Sequence, residues 1–144
     1  IPIVAAGGIV DGKGMASVFA AGAEGIQMGT RFVSSAESPV HSNFKNTIVN
    51  SSIDGTLILN KKAKPVIRAL KTELTEKIDQ IGEMDMSALM KIKELYFDGN
   101  MNAAPALSGQ SVGLIDQVKN VKDIIDETIN EFNKVCKDMG KIKF

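Results

Sequence analysis

Two short apolar runs that end in glycine constrain this chain more than anything else in it. Ile3-Val4-Ala5-Ala6 stops at Gly7-Gly8-Ile9, and Ile26-Gln27-Met28 stops at Gly29-Thr30. A run of this length bounded by glycine reads as a buried parallel strand. The segment between them is helix-like, so the unit is a compact βαβ crossover, which takes the right-handed sense. Both strands then deliver glycine backbone to the same end of one sheet. Without a Cβ the backbone can approach a ligand closely, and two such mouths side by side make a pocket of free N–H groups suited to phosphate. The alternative is that these glycines only shape tight turns. Finding two of them in successive βαβ strands favours the phosphate.

Such a pair does not stand alone. A parallel strand buried on both faces needs neighbours, and a two-stranded parallel pair is not stable by itself. The chain enters its first strand almost at once, through Ile1-Pro2-Ile3. The expectation is therefore a C-terminal piece of a longer polypeptide, with the preceding strands supplied by an N-terminal half. Strands seven and eight of a (β/α)8 barrel carry a phosphate site of this kind.

Composition narrows the partners. The 144 residues include 17 basic and 17 acidic side chains, so no global field draws the chain to nucleic acid or to an anionic membrane. No apolar run approaches the roughly 20 residues that span a bilayer. The single cysteine, Cys136, cannot form an internal disulfide and fits a reducing, cytoplasmic setting. It reads as a buried or half-buried structural thiol.

Along the chain, strand one covers about 2–6 and strand two about 25–28. Asp11 caps the helix between them, with Met15, Val18 and Phe19 on one face and Gly22 as its stop. Ser38-Pro39 has the form of an N-cap followed by proline at N1, predicting a helix that turns Val40, Phe44, Ile48 and Val49 inward. Thr56-Leu57-Ile58-Leu59 is β-prone after an Asp54-Gly55 turn. From Pro65 the apolar spacing Ile67, Leu70, Leu74, Ile78, Ile81 is helical and ends at Gly82. Asp85 caps a further helix closed by Gly99. Residues 103–111 form a small-residue loop, and the last helix, about 118–139, carries Val121, Ile124, Ile125, Thr128, Phe132 and Val135 on one stripe. The division is thus 1–60 for two βα units with the phosphate loops, 61–104 for a helical subdomain, and 105–144 for a Gly-Gln loop and terminal helix.

The chemistry-bearing candidates are few. Gly7, Gly8 and Gly29 suit a phosphate, Thr30 adds a hydroxyl, and the helix opening near Asp11 adds positive potential. Gln27 lies on the opposite strand face from Ile26 and Met28, where a ligand ring, a ribityl hydroxyl or a neighbouring backbone group would satisfy it. His41, the only histidine, has no carboxylate at a triad spacing and reads as a packing or surface residue. No Cys/His cluster has metal-ligand spacing, so no metal is expected. Lys61, Lys62 and Lys64 form a solvated loop, or greet an acidic carrier or a second phosphate.

Ala5-Ala6-Gly7-Gly8-Ile9, Gln27-Met28-Gly29-Thr30-Arg31-Phe32, Glu37-Ser38 with His41 and Lys45, and Ser108-Gly109-Gln110-Ser111-Val112-Gly113-Leu114-Ile115 together resemble the nitronate monooxygenase (2-nitropropane dioxygenase) family, which includes the similar enoyl-acyl-carrier-protein reductase II. Ser108 replaces an alanine usual in that last segment. The resemblance implies the C-terminal portion of a TIM-type (β/α)8 barrel with an inserted or appended helical subdomain, and non-covalent FMN. It implies Gly8 at the phosphate, beside Gly7, with Gln27, Met28, Gly29 and Thr30 as a second FMN segment and Gln110 near the flavin ring. His41 matches a family histidine that is not the base. No catalytic residue is expected in this chain, because the base lies on an upstream loop. The implied activity is FMN-dependent oxidation of an alkyl nitronate with O2. The alternatives are reduction of an enoyl thioester with NAD(P)H, a non-redox phosphate-binding barrel, or a fragment inactive alone. A homodimer is a possible assembly.

Overall fold

The computed structural model describes residues 1–143. The chain is mixed α/β. β1 (Val4–Ala6) and β2 (Gly25–Gln27) run parallel, with Val4 opposite Gly25 and Ala6 opposite Gln27. α1 (Gly12–Ala20) crosses between them. The Asp11 carboxylate accepts the Gly14 N–H at 2.8 Å, the expected cap. Gly22, at φ +101°, takes the left-handed turn that brings the chain back toward β2.

A short helix, α2 (Thr30–Val33), follows β2 directly. The next helix, α3, spans Ser42–Val49 and begins later than Ser38-Pro39 predicts. The reason is that 36–37 are occupied elsewhere. Ala36 N–H donates to Lys119 O at 2.9 Å, and the Glu37 carboxylate accepts the N–H of Val121 at 2.9 Å. His41 caps α3 instead, its Nδ1 accepting the Asn43 N–H at 3.1 Å. That assigns the lone histidine a structural role, as its sequence context suggests.

β3 (Thr56–Leu59) forms where the β-prone run predicts a strand. Its partner is a correction. Ile67–Leu70, read above as the start of a helix, is strand β4, antiparallel to β3 with Thr56 opposite Leu70. Spacings of three and four apolar positions cannot separate a strand running into a helix from one long helix. The helix begins only at a Thr72 capping box: the Thr72 hydroxyl accepts the Thr75 N–H at 3.2 Å and Thr75 Oγ1 accepts the Thr72 N–H at 2.7 Å. From there α4 covers Glu73–Ile81, ending at Gly82 with φ +82°. A 3₁₀ turn (Met86–Lys91) capped by Asp85 leads into α5 (Ile92–Phe97).

The returning chain then lies along β4. Leu70 N–H donates to Ala106 O at 2.8 Å, and Ser108 N–H to Arg68 O at 3.2 Å. A 3₁₀ turn (Gln110–Leu114) follows, and α6 (Val121–Met139) closes the chain by packing along α1. Phe19 and Phe132 meet edge to face at 5.2 Å. Gly12 is the closest approach: a Cβ there would lie 2.5 Å from Thr128 O and closer still to the Phe132 nitrogen.

Two cores result. Phe44, Ile48, Leu70, Leu95, Ala106 and Val112 form the larger. Leu59, Ala69, Ile78 and Met84 form a smaller one on the other face of the β3–β4 hairpin. Cys136 is exposed on α6, correcting the expectation of a buried thiol. Ile3, just before β1, and Val4 at its start are about three-fifths exposed, at 60% and 59%. No helix among the described residues is long and apolar enough to cross a membrane.

Candidate functional site

The two glycine mouths meet. Gly7 and Gly8 leave β1, Gly29 and Thr30 leave β2, and the parallel register puts Ala6 beside Gln27 just below them. They line one cavity of about 310 Å³. Gly109 and Ser111, from the loop that returns along β4, close its other side.

Both closures are hydrogen bonds over long chain separations. Gly109 N–H donates to Thr30 Oγ1 at 2.8 Å, and the Ser111 hydroxyl donates to Gly8 O at 2.6 Å. Because the Thr30 oxygen is acting as acceptor, its own O–H remains to donate into the cavity. Ser111 has spent its proton on Gly8, so it acts as a strut. Gly8 needs φ +74° and Gly7 φ +89°, conformations an L side chain rarely adopts.

The donor set fits a phosphate. No charged side chain among the described residues lines the cavity. Among the described residues, no turn, loop or side-chain hydrogen bond outside the regular elements uses the backbone N–H of Gly7, Gly8, Gly29 or Thr30. A Cβ on Gly7 or Gly29 would meet nothing within 4 Å. A side chain at position 29 would therefore enter open space beside the cup rather than collide with the protein. Neutral amides around a space cleared of side chains are what a doubly charged group with three acceptor oxygens requires.

Two donors at the N-terminus of α1 are already engaged: Gly12 N–H donates to Glu131 Oε2 at 2.8 Å and Gly14 N–H to Asp11 Oδ1 at 2.8 Å. The cup is made by loop amides.

A family model, nitronate monooxygenase, matches residues 1–131. The chain belongs to the nitronate monooxygenase family. It is 31% identical to a probable nitronate monooxygenase of Staphylococcus saprophyticus over 94% of this chain and 40% of that protein. It is 28% identical, over 99% of this chain and 53% of the relative, to a (3aS,4S,5R,7aS)-5-hydroxy-7a-methyl-1-oxo-octahydro-1H-indene-4-carboxyl-CoA dehydrogenase of Rhodococcus jostii. Among solved structures it superposes on FabK from Thermotoga maritima with a TM-score of 0.91 and 39% identity, over 99% of this chain and 48% of that one. The chain spans about half the length of these relatives.

Within this nitronate monooxygenase family chain, the candidates divide by position. Gly7, Gly8, Gln27, Gly29 and Thr30 line the cup. The Met28 side chain does not: it lies in a separate apolar groove with Met15, Ile26 and Phe32 against α6. Gln110 is exposed and is not among the lining residues, although its neighbours on both sides are. In the sequence Gly109 and Ser111 stand only within a longer motif, and their contacts with Thr30 and Gly8 carry no local signal. Arg31 likewise has no local signal of its role. It is buried, donates from Nη1 to Gln117 O at 2.9 Å, and so ties α2 to the segment before α6. Burial lowers its pKa, against the opposing pull of Asp116 and Glu127. Lys45 donates to Ala36 O at 3.1 Å, another tie within the scaffold. Among the described residues there is no cluster of side chains able to hold a metal.

Proposed function

We propose that this chain supplies the phosphate grip of an FMN-dependent oxidoreductase. The meeting of Gly7, Gly8, Gly29 and Thr30 around one side-chain-free cavity carries the reading. In this reading the βα units belong to a TIM-type barrel whose N-terminal half covers the exposed side of β1. FMN, when bound, supplies the two-electron chemistry. The chain's own part is to bind and orient. The four amides and the Thr30 hydroxyl hold the phosphate, each charge-assisted hydrogen bond contributing about 1.5–3 kcal/mol. The Gly109–Thr30 and Ser111–Gly8 bonds fix the cup before the ligand arrives. Gln27, exposed on the Ala6 face, is placed to meet the adjoining part of the cofactor. Among the described residues no titratable side chain lines the cup, so its part in this reading is binding alone.

Two substrate classes fit. The 39% identity to FabK across this chain supports reduction of an enoyl thioester, with NAD(P)H and a proton consumed and the saturated thioester formed. Oxidation of an alkyl nitronate with O2 is the second reading, supported by the family model and by the 31% identical relative. The test is the full-length protein assayed with NADPH plus a crotonyl thioester, and separately with propionate 3-nitronate. The expected result is a yellow protein with a flavin absorption band and thioester-dependent NADPH oxidation. Turnover of the nitronate alone would move the assignment to the second reading. A colourless protein that takes up no FMN would remove both.

A further inference from the structure

Residues 109–121 form a strap that holds the stretch 30–37 at both ends. At the cup, Gly109 N–H donates to Thr30 Oγ1 at 2.8 Å. Further along, Arg31 donates from Nη1 to Gln117 O at 2.9 Å, Ala36 N–H donates to Lys119 O at 2.9 Å, and Val121 N–H donates to the Glu37 carboxylate at 2.9 Å. Partners 117, 119 and 121 alternate, as they do along an extended segment. α2 needs such a hold. It is a single turn, too short to persist by itself, and Gly29 gives it no side-chain cap. Yet its first residue is Thr30, which lines the cup. Of the three outer bonds, only that of Arg31 starts from α2 itself. Arg31 is 6% exposed, and among the described residues it belongs to no ion pair. Its Nη1 also reaches Ser34 Oγ at 3.4 Å, and the Ser34 hydroxyl donates to Arg31 O at 2.8 Å. A guanidinium buried against one carbonyl and one hydroxyl forfeits hydration that packing alone does not restore. What it secures is the placement of the turn that leaves β2.

We infer that Arg31 is a positioning residue for the phosphate cup: by pinning α2 to Gln117 it sets where the Thr30 hydroxyl and the amides of Gly29 and Thr30 point. The inference rests on the reading of the cup as the FMN phosphate site. Arg31 does not line the cup, so it acts through Thr30 rather than on the ligand. Its effect falls on the phosphate and spares the ring. FMN and riboflavin differ only by that phosphate, and the ratio of their affinities isolates it.

The experiment titrates the flavin-free, full-length protein with FMN and with riboflavin, following the quenching of flavin fluorescence. Wild type is compared with Arg31→Met, Arg31→Lys and Glu37→Ala, and the melting temperature of each is measured. Glu37→Ala loosens the same strap at its far end and so controls for stability alone. The expected result for Arg31→Met is an FMN affinity about ten- to hundredfold lower with riboflavin affinity within about threefold, the loss of roughly one charge-assisted hydrogen bond to the phosphate. Lysine keeps a donor for Gln117 and should recover part of the loss. Glu37→Ala should keep the wild-type preference for FMN even where its melting temperature falls. An unchanged preference in folded Arg31→Met overturns the inference and leaves the phosphate cup standing. Loss of both flavins in equal proportion overturns it too, assigning Arg31 to the fold alone, as does a Glu37→Ala protein that loses the preference as fully as Arg31→Met. A wild type that binds FMN no better than riboflavin removes the phosphate reading itself, and this inference with it.

Discussion

Gly29 lines the cup and the two grooves beside it, so a side chain there enters open space at the phosphate site's edge. The ideal Cβ there meets no protein atom within 4 Å. Gly29→Val should therefore release FMN while leaving the melting temperature of the flavin-free protein close to that of wild type; retained flavin absorbance after gel filtration would contradict this. Gly8 behaves differently. Its φ of +74° and the 3.3 Å separation from Ser111 Oγ make Gly8→Ala strained in the protein itself, by about 1–2 kcal/mol, visible as a lower melting temperature even without cofactor. These glycines were legible in the letters alone, because an absent side chain is itself the signal and strand endings give it a place. Ser111 and Gly109 were not. Their partners Gly8 and Thr30 are 103 and 79 positions away, and only the β4 pairing of residues 106–108 brings them home. Met28 shows the opposite limit: the motif contained it, but strand alternation turned its side chain toward α6.

Between elements, the tightest joint is α1 on α6. A methyl at Gly12 would meet the backbone at Thr128 and Phe132, atoms that no rotamer change can move aside. Gly12→Ala should cost about 1–3 kcal/mol or more, measured by urea unfolding, whereas Gly14→Ala, with 3.4 Å to its nearest neighbour, should cost far less. The hairpin offers an acid test. Hydrogen bonds from Lys71 and Ser52 hold the Asp54 carboxylate down at about 2. Its contribution is thus complete above the ordinary carboxylate range and disappears as pH falls toward 2. The melting-temperature difference between wild type and Asp54→Asn should shrink over that interval. Since the pair is exposed, the difference at neutral pH should be small. This same hairpin was half legible. Thr56–Leu59 announced itself, but Ile67–Leu70 shares its apolar spacing with α4, and the Thr72 cap that separates them is a polar detail easily read as part of a helix.

At the scale of the molecule, the βαβ unit and the meeting of its two glycine mouths followed from the glycine-ended strands, and the terminal helix from its own apolar stripe. What did not follow was how the halves of the chain support each other. Glu131 of α6 occupies the first donor of α1, and Glu37 caps α6 in return, so the beginning and end of the chain hold one another in place. Neither acid carries a sequence signature of that duty. The neutrality of the cup has a further consequence. A grip built from peptide dipoles has no condensed counterions to exchange, so ionic strength has little to compete with there. Flavin occupancy should stay nearly level as KCl is raised from dilute buffer to molar concentration, followed by equilibrium dialysis, whereas a lysine-built phosphate site would empty steadily over the same range.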